Sequence, residues 1–117
     1  MFPFQKFEVY NKAKHYKHEI SLLLKSQKIE EPLRSQINRA SLSIVLNIAE
    51  GSGRFSKADR RNFFVIARSS IFECVAALDI LLEEKSIDED IYYKLLPLAE
   101  ELSRMLFSLI SHLRNGE

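Results

Sequence analysis

The stretch PLRSQINRASLSIVLNIAEGSGR, residues 32–54, decides how the rest of the chain reads. Leu33, Ile37, Ala40, Ile44 and Ile48 recur at spacings of three and four, the period of one helix face. Leu42, Val45, Leu46 and Ala49 make a second apolar stripe on the same helix. Between the stripes runs a polar strip of Gln36, Arg39, Ser43, Asn47 and Glu50. A helix that is apolar on two flanks has to be covered on both. Three companion helices leave one flank facing water, so copies of the chain are expected to associate through it. Pro32 suits a first helical turn, where its missing N–H has no intrahelical acceptor. Gly51 is the expected stop, which predicts a helix over 32–50.

Working outward, Val9, Ala13, Tyr16, Ile20 and Leu23 predict an amphipathic helix over 7–26. After the loop Gly51-Ser52-Gly53-Arg54, Ser56 reads as a cap whose hydroxyl accepts the N–H of Asp59. The helix it opens continues to about residue 84, with Phe63, Ala67, Ser70, Cys74, Leu78 and Leu81 on one seam. Asp88 is the next capping residue. Ile91, Leu95, Leu98, Leu102, Met105, Leu109 and Leu113 then follow a heptad that continues through Pro97 to Asn115 and Gly116. Four helices of this length, joined by short loops, predict an all-α, antiparallel up-down-up-down four-helix bundle.

Composition agrees with that fold. The 117 residues suit one domain, taken as 1–117, and three Gly with three Pro are too few for the turns of a sheet protein. Hydrophobic residues at 46% supply a core, and the net charge of +1 gives no global pull on a polyanion. Neither a signal peptide nor an apolar run of membrane-spanning length is evident, so a cytoplasmic protein with no membrane partner is the expectation. One cysteine, Cys74, excludes an internal disulfide and a cysteine-based zinc site.

The segment Ser35-Gln36-Ile37-Asn38-Arg39-Ala40, with Ser43-Ile44 and Asn47-Ile48-Ala49-Glu50-Gly51-Ser52-Gly53-Arg54, resembles the hallmark of a bacterial four-helix-bundle family encoded in intervening sequences of 23S ribosomal RNA genes. Phe63-Phe64-Val65-Ile66-Ala67 with Ser70 and Glu73, and Phe7-Glu8-Val9-Tyr10 with Ala13, are similar to its third and first helices. Two positions depart from the pattern: Val45 stands where a proline is expected, and Ser69 where a glycine is common. The resemblance implies a cyclic homo-oligomer, a pentamer foremost, and no settled biochemical activity.

The chemistry-bearing residues are unevenly placed. Residues 51–68 hold Arg54, Lys57, Arg60, Arg61 and Arg68 against Asp59 alone, whereas residues 69–94 hold seven acids against Lys85 and Lys94. Cations at a helix start and carboxylates at its end both oppose the macrodipole, at about 0.3–1 kcal/mol each. Something beyond the isolated helix should offset this. In the antiparallel bundle one pole then becomes basic, gathering Lys6 and Arg114 as well, and the other acidic. Arg54, Lys57, Arg60 and Arg61 suit phosphate contacts, and Phe55 beside them suits stacking on a base. RNA, DNA or a nucleic-acid-handling protein is the partner class this suggests. The competing reading is that the same residues form solvated or intersubunit salt bridges.

Gln36, Arg39, Leu42, Val45, Leu46, Asn47, Glu50 and Glu73 are the candidates for an oligomer interface or for fixing its polar register. Arg39, Asn47, Glu50 and Glu73 also admit an active-site reading, but they lack the Glu-x-x-His pair of a di-iron bundle. No nucleophile triad, P-loop or zinc spacing is present, and His15, His18 and His112 have no acidic ligand set beside them. No catalytic residue, metal or cofactor is expected. The leading expectation is a non-enzymatic oligomeric binding module, and the alternative is an adaptor that binds another protein with no nucleic-acid role.

Overall fold

A computed structural model describes residues 1–115 of the chain; Gly116, expected to end the last helix, and Glu117 lie outside it. A 3-10 turn at Pro3–Lys6 leads into four helices, α1 (Glu8–Ser26), α2 (Leu33–Ser52), α3 (Lys57–Glu83) and α4 (Glu89–Asn115). Among the described residues there is no strand. The body is 46 Å long, close to the length of a 27-residue helix at 1.5 Å per residue.

Each connection has a physical anchor. The α1–α2 loop is clamped by Arg34, whose guanidinium donates to the carbonyls of Leu24, Gln27 (3.3 Å) and Ile29 (3.1 Å). These include carbonyls near the end of α1 that have no partner within the helix. Ser56 caps α3 as expected, accepting the Asp59 N–H at 3.0 Å, and Asp88 caps α4 by accepting the Ile91 N–H at 2.9 Å. The end of α3 carries no glycine signal. Lys85 there takes φ 62°, with Lys85 N–H donating to Leu82 and Ser86 N–H to Leu81. That is a Schellman ending with Lys in the place that usually favours Gly.

The core runs along the inner faces of all four helices. Val9, Ala13, Tyr16, Ile20 and Leu23 of α1 are all buried, as their spacing predicts. Ile37, Ala40, Ile44 and Ile48 of α2 are buried too, and Leu33 is half-buried. Burying each Ile is worth about 1.5–3 kcal/mol. Ile29 and Ile87 fold from the loops into the same core. In α4 the observed seam is rotated from the predicted one: Tyr92, Leu95, Ala99, Leu102, Leu106 and Leu113 are buried, while Ile91, Leu98, Met105 and Leu109 are only half-buried. The helix runs unbroken through Pro97.

Two expectations for α2 need correction. Val45 does not stand free for a neighbouring copy; it is buried within the chain, on the side of α2 that faces α1. Gly51 is not a stop. The helix continues to Ser52, and Gly53 is the C-cap, with a right-handed φ of −92°. Gly51 is instead a point of close approach, where an added Cβ would lie 2.9 Å from both Phe63 Cβ and Phe64 Cε1. Gly51→Ala is therefore expected to lower stability by about 1–2 kcal/mol in urea unfolding, crowding outweighing the helix-propensity gain. Gly53→Ala, with its Cβ 3.6 Å from the nearest atom, should raise stability by about 0.4–1 kcal/mol. Equal effects at the two sites would contradict the packing described.

Candidate nucleic-acid interface

The turn Gly53–Ser56 delivers the first residues of α3 to one end of the bundle. One cleft there is lined by Phe7 and Glu8, by Lys57 and Arg60, and by Leu109 and His112. The start of α1, the start of α3 and the end of α4 therefore meet at a common pole. The N-terminal 3-10 turn lies against the α2–α3 turn on its other side, with Phe2 and Phe4 beside Gly53, Arg54 and Phe55. The opposite pole brings Glu30, Glu31 and Glu84 together with Lys28.

The cations of the first pole are not equivalent. Arg54 is committed on two sides, to the Glu50 carboxylate at 2.6 Å and over the Phe63 ring at 4.6 Å. A pair this exposed contributes at most about 1 kcal/mol, so its effect is chiefly to orient the side chain. Lys57 is exposed and Arg60 and Arg61 are half-buried on the first turns of α3; Lys6 and Arg114 are exposed nearby in sequence to the two other elements of the pole. Phe55 stands wholly in solvent at 103% relative exposure. An aromatic ring left this bare has lost no water and gains no packing energy from its own chain.

The interface candidates sort differently. Asn47 donates to the Ser43 carbonyl (2.9 Å) and hydroxyl (3.0 Å), and the Ser43 hydroxyl meets that of Ser70 at 2.9 Å across α2 and α3. Arg39 donates to Gln36 at 3.4 Å, and Glu73 is exposed. Arg39, Asn47 and Glu50 thus each have a partner within α2 or its C-terminal turn. Leu42 and Leu46 are exposed on the outer side of α2, and Ala49 is half-buried. Outward on α3, Ile66 and Ile80 are exposed as well.

A further exposed cluster escaped the sequence reading. Arg68 lies between two aromatic rings, 4.8 Å from the centroid of Phe72 and 5.3 Å from that of Phe107, and its Nε donates to the Ser103 carbonyl at 3.3 Å. With Val65 and Ile110 they line a shallow hollow between α3 and α4. Phe72 and Phe107 belong to different helices and to neither apolar seam, so their pairing leaves no local signal. Their standing outside both seams is the one hint.

Among the described residues no group of three or more His, Cys, Asp or Glu is placed to hold a metal ion, and no helix is long and apolar enough to cross a membrane. Cys74 is buried in the core; burial, with Glu73 adjacent, pushes its thiol up to about 12.

Four helices around a common core, with charge separated toward the two ends, define a four-helix-bundle protein. The profile of the 23S rRNA-intervening sequence protein family matches residues 5–108, and the chain belongs to that family. The chain is also similar to a crystal structure of a protein of unknown function from the S23 ribosomal protein family of Bacteroides thetaiotaomicron. The two share 28% identity and superpose with a TM-score of 0.83, over 87% of this chain and 97% of the other. No curated protein matches the chain.

Because the thiolate is the reactive form, Cys74 is expected to react with a disulfide reagent at pH 8 at least about 100-fold more slowly in the native protein than in urea. Labelling at the rate of a free thiol would contradict its burial.

Proposed function

We propose that this chain is a non-enzymatic, homo-oligomeric binding module, with a pentamer as the favoured ring, that engages RNA or DNA through its basic pole. The observation that carries the reading is Phe55, fully exposed in a turn directly followed by Lys57, Arg60 and Arg61. Cations that neutralise phosphates beside a bare aromatic that stacks on a base are the two ingredients of sequence-tolerant single-strand binding.

Assembly is supported by two unlike exposed patches. One carries Leu42, Leu46 and Ile66 with the carboxylate of Glu73; the other carries Val65, Phe72 and Phe107 with the guanidinium of Arg68. Unlike patches that meet head to tail generate a ring when the rotation closes. A ring of parallel protomers sets all the basic poles on one side, so that a modest local charge is multiplied without a large net charge per chain.

Binding to single-stranded RNA and DNA, followed across a salt series, tests this. Affinity is expected to fall linearly on a log–log plot as counterions are displaced. Lys57→Ala combined with Arg61→Ala should reduce the slope by about 2, and Phe55→Ala should weaken single-strand binding by about 1–3 kcal/mol. Absence of affinity for any single- or double-stranded RNA or DNA at about 50 mM salt, the permissive condition, would overturn the nucleic-acid reading and leave the pole to a protein partner.

A further inference from the structure

The helices pack in the cyclic order α1–α2–α3–α4, each beside two others, so the bundle has four outer sides. Both exposed apolar patches lie on sides that share α3 as their common edge. Leu46 and Ile66 stand on the α2–α3 side, and Phe72 and Phe107 on the α3–α4 side. Adjacent sides meet near a right angle. Contact between unlike adjacent sides turns each copy relative to the last and closes after a few copies, whereas contact between opposite sides builds an open row. Charge adds a direction. On α2, Glu50 lies toward the basic pole and Arg39 about three helical turns nearer the acidic pole. The α3–α4 side carries the reverse order. Arg68, whose Nε donates to the Ser103 carbonyl, stands level with Arg104 toward the basic pole, and Asp79 and Glu100 lie nearer the acidic pole. Arg39, Glu100 and Arg104 are exposed. Glu50 already holds Arg54 and Asp79 the Tyr92 hydroxyl, and a carboxylate has lone pairs for further donors. The Ser43–Ser70 contact sets Leu42 close to the level of Phe72, so the two charge series flank apolar centres at the same height.

We infer that the α2–α3 side of one copy seats on the α3–α4 side of a second copy with their poles aligned, Arg39 toward Glu100 and Glu50 toward Arg104, which makes α3 the innermost helix of the ring. This rests on the oligomeric reading above and deepens it by fixing which sides meet and in which direction. With the poles aligned, opposite charges face each other around an apolar centre that excludes water. With the poles reversed, Arg39 would meet Arg104 and Glu50 would meet Glu100, and juxtaposed like charges disfavour that docking. Two α2–α3 sides set face to face would leave Phe72 and Phe107 in water. The unlike contact covers both patches with one interface and repeats until the ring closes.

Sedimentation of two variants of the full chain, alone and mixed at high micromolar concentration, tests the contact. Leu46→Arg spoils the α2–α3 side and Phe107→Glu the α3–α4 side. Both side chains are more than half exposed, so circular dichroism should show the fold intact. Each variant alone is expected as a monomer. An equimolar mixture should form a dimer at twice the 13.6 kDa chain mass, because one sound side of each kind remains and the other two are blocked. Adding Arg39→Glu to the Phe107→Glu chain should weaken that dimer about tenfold, and Glu100→Arg in the Leu46→Arg chain should recover the loss. Unaltered protein that is itself monomeric contradicts the oligomeric reading. Unaltered protein that assembles, with single variants that still assemble or a mixture that stays monomeric, overturns this contact alone. Failure of Glu100→Arg to recover the dimer overturns the alignment of the poles.

Discussion

The close approach of α2 to α3 is the constraint on which the rest of the structure depends. Where the helices meet, the contact is made by small and polar groups: Gly51 against Phe63 and Phe64, and the Ser43 hydroxyl against that of Ser70. Satisfied hydroxyls in such a seam fix register, because sliding either helix would leave a donor unpaired in a poorly solvated place. The same seam has a second consequence. With the inward arc of α2 taken by Ile37, Ile44 and Ile48 and the α3 side taken by Ser43 and Asn47, Leu42 and Leu46 remain on the outside. Ile66 and Ile80 remain outside on α3 for the same reason. The apolar surface left over is a product of how the pair packs.

Burial is legible in the sequence where one helix face alone decides it. The stripe of α1 is buried in full because a single apolar face leaves no choice of rotation. In α4 spacing is a weaker guide, because a strict seven-residue repeat drifts about 20° per heptad against a straight helix. The true seam gathers Tyr92, Ala99 and Leu106 and moves Ile91, Leu98 and Met105 to its edge. Val45 shows that an apolar residue on the flank of a stripe does not say which neighbour covers it. Gly51 carries the same letter whether it ends a helix or admits a neighbour. The left-handed Lys85 has no compositional mark at all.

Site residues show a parallel division. Cations clustered along the chain, from Arg54 to Arg61, are visible as a run. That Lys57 and Arg60 line a cleft shared with α1 and α4, while Arg54 turns to Glu50 and Phe63, emerges only when three helix ends meet. The Arg68 sandwich between Phe72 and Phe107 is likewise invisible in one dimension, since its rings come from two helices. Charge is arranged against the α3 dipole at both ends. Ser56 satisfies one orphan N–H at the basic end, and Lys85 is the basic residue next to Glu83 and Glu84 at the other. The nucleic-acid proposal rests on this clustering of cations at one end of α3, where each adds to the local field.

Sedimentation velocity on the unaltered protein, at micromolar concentration and physiological salt, probes the central claim that this leftover apolar surface is covered by further copies of the chain. The account predicts one boundary at several times the 13.6 kDa chain mass, fivefold for the favoured ring. A single boundary at 13.6 kDa across the concentration range would contradict it.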